Sequence, residues 1–243
     1  MNNKKVLCVS ETISTESENS LYKMGFSLVK IPSFGYLEKP ISSHPDMFMT
    51  EIGGMFFCDA TVKKLFTSLR AWDEAFNKLV VCGRGADSNK ILEYPESISF
   101  NCVNVGNNLI CNERYTCKSV LEYAYSSGIN ILNVKQGYVK CSTCVVNSNS
   151  IITEDDSICK CAEKNGIEVL KIEKGHVELS GYEYGFIGGC TGLIQKNLLA
   201  FNGNLFLHPD CQKIFDFCYD RSVGIVNLSE SKLYDIGTIF RIL

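Results

Sequence analysis

The sequence predicts an α/β chain organised as a five-fold α/β propeller: five strand–strand–helix–strand units around a common axis, in one domain spanning 1–243. Three observations predict it. Residues 137–155, GYVKCSTCVVNSNSIITED, align without a gap to residues 185–203, GFIGGCTGLIQKNLLAFNG, an offset of 48. Five short β-branched runs recur along the chain, and strand-like segments at the two ends complete a fifth hairpin.

Taken in chain order, KKVLCVS (4–10) is the first strand, and FSLVKI from Phe26 is the first β-branched run. MFMTEIGGMFFCD (47–59) places glycines between two apolar stretches, the pattern of a β-hairpin. The helix that follows is read in TVKKLFTSLRAWDEAF (61–76), where Val62, Leu65, Leu69, Trp72 and Phe76 share one stripe, and Trp72 is a packing residue. KLVVCG from Lys78 completes that unit, and the hairpin SFNCVNVGNNLICN (99–112) and INILNV from Ile129 give the next one the same order. The two aligned segments are the hairpins of the last two units, followed by IEVLKI from Ile167 and VGIVNL from Val223. His208-Pro209-Asp210 is read as a helix start, with proline in the first turn and an acid favouring the helix dipole. YDIGTIFRIL (234–243) then pairs with KKVLCVS, which removes the exposed edges of an open strand array.

Composition narrows the class. At 45% hydrophobic residues and a formal charge of −3, the chain belongs with ordinary globular proteins. Lysines alternate with acids, so no basic stripe exists to neutralise phosphates, and a nucleic-acid partner is not expected. No run of eighteen apolar residues occurs and the N-terminal apolar stretch is short, so neither a membrane span nor a signal peptide is expected and a cytoplasmic setting follows. The thirteen cysteines are then expected to be reduced thiols, many of them small core residues. Cys141-Ser-Thr-Cys144 and Cys159-Lys-Cys161 offer four sulfurs, but one pair is read on a strand and the other on a helix, so no metal and no cofactor are expected.

Units of this order around a pseudo-five-fold axis resemble the pentein fold of guanidino-group-modifying enzymes, which include arginine deiminases, amidinotransferases and dimethylarginine dimethylaminohydrolases. Locally, Pro45, Asp46, Phe48 and Glu51 in PDMFMTE are similar to the PDSVFVED-type string of the last group. GYVKCS, with Lys140, is similar to its LHLKS-type strand, and DIGTIF, with Asp235 and Gly237, to its DGGVTC-type motif. On QGYVKCST, GFIGGCTG and the terminal DIG, the chain also resembles a bacterial family assigned only by this fold. On this alignment Tyr138 stands where the family has its catalytic histidine and Phe240 where it has its nucleophilic cysteine.

The resemblance implies that the first strands line a central channel, gathering Asp46, Glu51, Tyr138, Lys140, Cys141, Cys190 and Asp235 at its mouth. Carboxylates there suit a guanidinium, although Asp46 and Asp235 also read as turn residues. A relocated nucleophile would be Cys190, flanked by glycines, or Cys141; both also read as small packing residues. His44 and His176 are the proton carriers available to it, with a loop or cap role for His44 and a lip hairpin for His176 as the alternatives. Arg114 falls near the family's arginine for the substrate carboxylate, or is a solvated surface residue. Three functions stay open: a ring binding a small guanidino or amino-acid-like ligand without hydrolysis, an amidinohydrolase- or amidinotransferase-like enzyme with a moved cysteine, and a structural or partner-binding ring.

Overall fold

A computed structural model describes residues 5–67, 79–82 and 91–242. They form five three-stranded sheets. The first joins β1 (Lys5–Ser10) to the parallel β2 (Phe26–Ile31) through helix α1 (Thr15–Lys23). The second comprises β3 (Met49–Ile52), β4 (Met55–Asp59), α2 (Ala60–Thr67) and β5 (Leu79–Cys82). The third is β6 (Val103–Val105), β7 (Asn108–Cys111), α3 (Lys118–Ser126) and β8 (Asn130–Asn133). The fourth is β9 (Thr143–Asn147), β10 (Ser150–Thr153), α4 (Asp156–Lys164) and β11 (Glu168–Lys171). The fifth is β12 (Thr191–Gln195), β13 (Leu198–Phe201), α5 (Cys211–Tyr219) and β14 (Gly224–Asn227).

Within each of these last four sheets, the first two strands form an antiparallel hairpin and the third is parallel to the second. The first sheet obtains its antiparallel strand from the other end of the chain: β15 (Phe240–Arg241) pairs with β1, Cys8 opposite Phe240. The expected pairing of the terminal strands is thus present. The 48-residue offset carries over to the strands themselves, since β9 and β12, and β10 and β13, begin and end at matching positions. It fails after β13, where a 3₁₀ turn, Leu205–Leu207, delays the start of α5. Of the stripe expected in 61–76, Val62 and Leu65 fall on α2, while Leu69, Trp72 and Phe76 lie outside the described residues.

The middle strands read as continuous apolar runs because both of their faces are covered. Successive residues of β1 point into different cores: Val6 and Cys8 into one, Leu7 and Val9 into another. In β10, Ile151 and Ile152 divide in the same way. Five apolar clusters result, each built mainly from two consecutive units, and the fifth unit shares its second cluster with the first through Ile194, Ala200 and Leu228 against Leu7, Val9 and Leu21. Period-two alternation therefore ties each sheet to both of its neighbours. Among the described residues no helix is long and apolar enough to cross a membrane.

Candidate functional site

A turn precedes each first strand, and these turns carry the polar residues. The reading of GYVKCS as strand is corrected here, since β9 begins only at Thr143. Ser142 N donates to Tyr138 O at 2.9 Å and Thr143 N to Lys140 O at 3.1 Å, turn bonds that take donors a ladder would otherwise use. The 48-residue partner repeats them: Cys190 N donates to Phe186 O and Thr191 N to Gly188 O. Cys190 thereby matches Ser142, and Cys141 matches Gly189, so the two candidate cysteines occupy different places in their turns.

The turns before β3, β6, β9 and β15 converge on one buried polar cluster. Asp46, in the 3₁₀ turn Pro45–Met47, is fully buried. Its Oδ2 accepts from Cys141 Sγ at 2.8 Å, and its Oδ1 has no hydrogen-bond partner among the described residues. Asn101 fixes the cysteine: its Oδ1 accepts from Lys140 N and Cys141 N, and its Nδ2 donates to Cys141 Sγ at 3.1 Å. Thr238 has one hydroxyl proton for two acceptors, Gly188 O at 2.9 Å and Asp46 Oδ2 at 3.3 Å, and accepts from Lys140 Nζ at 3.1 Å. Asp235 accepts from Phe186 N at 3.0 Å and from Gly237 N at 2.9 Å. His44 Nδ1 lies 3.7 Å from Asp235 Oδ1, too far for a hydrogen bond, and makes none elsewhere among the described residues.

Two glycines make this approach possible. Gly237 has a φ of +69°, and a Cβ there would overlap His44 Cβ; a Cβ at Gly189 would collide with the Asp235 carboxylate. Burial governs the cluster's electrostatics. It pushes the Cys141 thiol well above the usual range, with Asp46 and Asp235 adding to the effect. The same burial raises Asp235, opposed by His44 and reinforced by Asp46, and lowers Lys140, opposed by Asp46. Glu154, whose Oε1 accepts from Ile187 N at 3.2 Å, is pushed up to about 8, again mainly by burial.

The cluster opens on one side into a cavity of about 210 Å³. Its polar lining is His44, Cys141, Glu183 and Asp235, and its aromatic lining is Tyr138, Tyr182, Tyr184 and Phe186. On the other side, Lys140 and Thr238 line a second cavity of about 160 Å³, walled by residues of all five first strands, Thr50, Val103, Val145, Thr191 and Phe240 among them. The exposed Glu51 lies in that second wall, away from Asp235. Of the other candidates, Cys190 is buried in an apolar cluster with its thiol donating to Ile187 O at 3.3 Å. His176 is exposed beside Glu173 and the buried His208, in a separate cavity. Arg114 is exposed with its guanidinium 5.3 Å from the Tyr115 ring. His44, Asp46, Tyr138, Lys140, Cys141 and Asp235 are thus brought together; Glu51, Cys190, His176 and Arg114 are not. Asn101, Thr238 and Glu154 belong to the cluster without having been read from the sequence. An asparagine just before a strand was the one available signal, since that residue type bonds backbone groups in turns.

A family model described as a family of unknown function, DUF6873, matches residues 8–240. The chain belongs to DUF6873. No curated protein matches this DUF6873 chain in sequence. Solved structures do match it in shape. A dimethylarginine dimethylaminohydrolase variant from Pseudomonas aeruginosa, complexed with citrulline, is similar with a TM-score of 0.54 at 8% identity, over 93% of this chain and 92% of that one. An agmatine deiminase from C. jejuni is similar with a TM-score of 0.53 at 12% identity, over 98% and 92%. The DUF6873 chain has the fold of these pentein enzymes, five small three-stranded sheets with helices between strands.

Proposed function

We propose that this chain is a closed five-fold propeller, one domain over 1–243, that binds a small planar cation of the guanidino or amino-acid-like class in the 210 Å³ cavity. The observation that carries this reading is an acidic floor beneath aromatic walls. Asp235, Glu183 and His44 face the cavity, and His44 Nδ1 is a buried nitrogen with no hydrogen-bond partner among the described residues. A buried polar atom left unpaired costs about 1–3 kcal/mol, which a ligand rich in N–H groups offsets. A guanidinium supplies planar donors to carboxylates and a cationic face to the Tyr138, Tyr182, Tyr184 and Phe186 rings. The cavity is below the ~300–1,000 Å³ of drug-sized sites, so the ligand is small.

Hydrolysis is not part of this reading, because Cys141 is held as a thiol by burial and by its hydrogen bond to Asp46. A cytosolic setting, with no nucleic-acid partner, accords with the pI of about 5.7 and the many free thiols. Thermal unfolding with arginine, agmatine and methylated arginines tests the reading: binding at 100 times Kd adds about 2.7 kcal/mol of stability, a shift of several degrees. Asp235→Asn should abolish that shift. A screen in which no guanidino compound raises the melting temperature, or in which Asp235→Asn responds like the wild type, removes the proposal.

One observation favours a second reading. Cys141 lines the cavity together with His44, the arrangement of a nucleophile and a proton carrier, and a bound cation would ease deprotonation of its thiol. Labelling with a chloroacetamidine reagent and mapping by mass spectrometry separates the two. Stoichiometric labelling at Cys141, suppressed by guanidino compounds, supports catalysis, whereas slow labelling scattered over many thiols leaves binding alone.

A further inference from the structure

Three loops of the fourth and fifth units enclose a further cavity, of about 240 Å³. One follows β11 and contributes residues 175–178 and Glu183; one precedes α5 and contributes Leu207 and His208; one follows β14 and contributes Lys232 and Leu233. Hydrogen bonds set these loops against one another. Glu178 N donates to Leu233 O at 2.8 Å and Asp235 N to Glu178 O at 2.9 Å. Asp210 Oδ2 accepts from Glu173 N at 2.7 Å, which ties the loop after β11 to the start of α5. The walls are therefore built before any ligand arrives.

His208 is the residue that points to a ligand. It is 3% exposed, lines the cavity, and accepts from Asp210 N at 3.0 Å through its Nδ1. A neutral imidazole whose Nδ1 accepts carries its proton on Nε2, and no described residue accepts from that Nε2–H. Burial, with His176 adding to it, lowers the His208 pKa and keeps the ring neutral. A buried donor thus borders a cavity with nothing to donate to. The same tautomer disfavours a metal ion, which would need the Nε2 lone pair, and among the described residues no group of three or more side chains could hold one.

Charges of both signs surround this donor. Lys232 Nζ lies 3.1 Å from Glu178 Oε1 and has further N–H groups to give. The Glu183 carboxylate has no partner among the described residues. Val177, Leu207 and Leu233 supply apolar wall between them. A simple anion would meet the carboxylates of Glu178 and Glu183, and a simple cation would meet Lys232 and a ring that only donates. A ligand carrying both charges satisfies both sets.

We propose that the 240 Å³ cavity is a second binding site, specific for a small zwitterionic α-amino acid with a short apolar side chain. Its carboxylate accepts from His208 Nε2 and Lys232 Nζ, its ammonium donates to Glu183, and its side chain packs on Val177, Leu207 and Leu233. The volume, below the ~300–1,000 Å³ of drug-sized sites, suits a ligand of that size. Of the residues lining the 210 Å³ cavity only Glu183 is shared, so this site stands whether or not a guanidino compound binds there.

The chain has three histidines, so the imidazole NMR signals of the whole isotope-labelled protein report on this site directly, with His176→Gln and His208→Gln assigning them. Titration with L-alanine should move the His208 signals saturably and leave those of His44, in the other cavity, in place. Acetate and ethylamine, each carrying one of the two charges, should move neither. Lys232→Met, at an exposed position, should weaken alanine binding about tenfold. The wild-type titration decides even if a variant fails to fold. No saturable shift at His208, acetate acting as strongly as alanine, or an unchanged affinity in Lys232→Met overturns the proposal. A shift at His44 in place of His208 overturns it too, because alanine then occupies the 210 Å³ cavity; the melting-temperature screen with guanidino compounds judges the earlier reading separately.

Discussion

Glu154 shows how one half-buried side chain sets a pH response. In the folded protein burial raises it from the ordinary 4.5 to about 8, so the native state keeps a proton that the unfolded chain releases. Its contribution is fully present below about 4.5 and is lost as pH rises to about 8. Glu154→Gln keeps an acceptor for Ile187 N and cannot ionise. The melting-temperature difference between this variant and the wild type should therefore grow in the variant's favour between those two pH values, then level off; a constant difference would mean the carboxyl is not held neutral. Asp235 and Asp46 were legible in the sequence through short motifs, but Glu154 was not. Nothing in IITEDDS distinguishes an acid that turns under the neighbouring turn from the solvated acids beside it.

At the level of elements, the helices begin where local chemistry allows. Asp155 caps α4, accepting from Ser157 N at 2.8 Å and Ile158 N at 2.9 Å, and also accepts from Gln136 Nε2 at 2.8 Å. Asp155→Ala should cost about 1–2 kcal/mol, seen as a lower urea midpoint at unchanged slope, and Asp155→Asn should recover most of it. If alanine and asparagine are equally destabilising, the negative charge and not the cap is what matters. The strands were readable because their runs are β-branched and bounded by turn residues. Their starting points were less so. Lys140 and Cys141 look like strand from their neighbours, yet turn hydrogen bonds and the hold of Asn101 on both backbone amides keep them out of the ladder.

Across the whole molecule, stability depends on the cores that neighbouring sheets share. Ile239, Phe240 and Ile242 are all buried, the first in the cluster shared with the fifth unit and the other two in that shared with the second. At about 1.5–3 kcal/mol per buried side chain, deleting residues 239–243 removes an amount comparable to the ~5–15 kcal/mol stability of an ordinary domain. The truncated protein should lose its cooperative unfolding transition and elute as aggregate on size exclusion, because β1 would be left as an open edge. A truncated chain that still melts cooperatively within a few degrees of the full one would show that pairing of β1 with β15 contributes little.

Order along the chain was determined by the sequence alone. The 48-residue repeat, the five β-branched runs and the alternating apolar residues are local patterns, and backbone hydrogen bonding turns them into hairpins and parallel crossovers wherever they occur. Which side chains meet was decided by the tertiary structure. Asp46, Asn101, Cys141 and Thr238 come from four different units, so their contacts depend on how neighbouring cores set the turns against one another. By motif Cys190, between glycines, was the better nucleophile candidate and Cys141 the weaker, yet a one-residue difference in their turns directs the Cys190 thiol into an apolar core and the Cys141 thiol to a carboxylate beside a cavity.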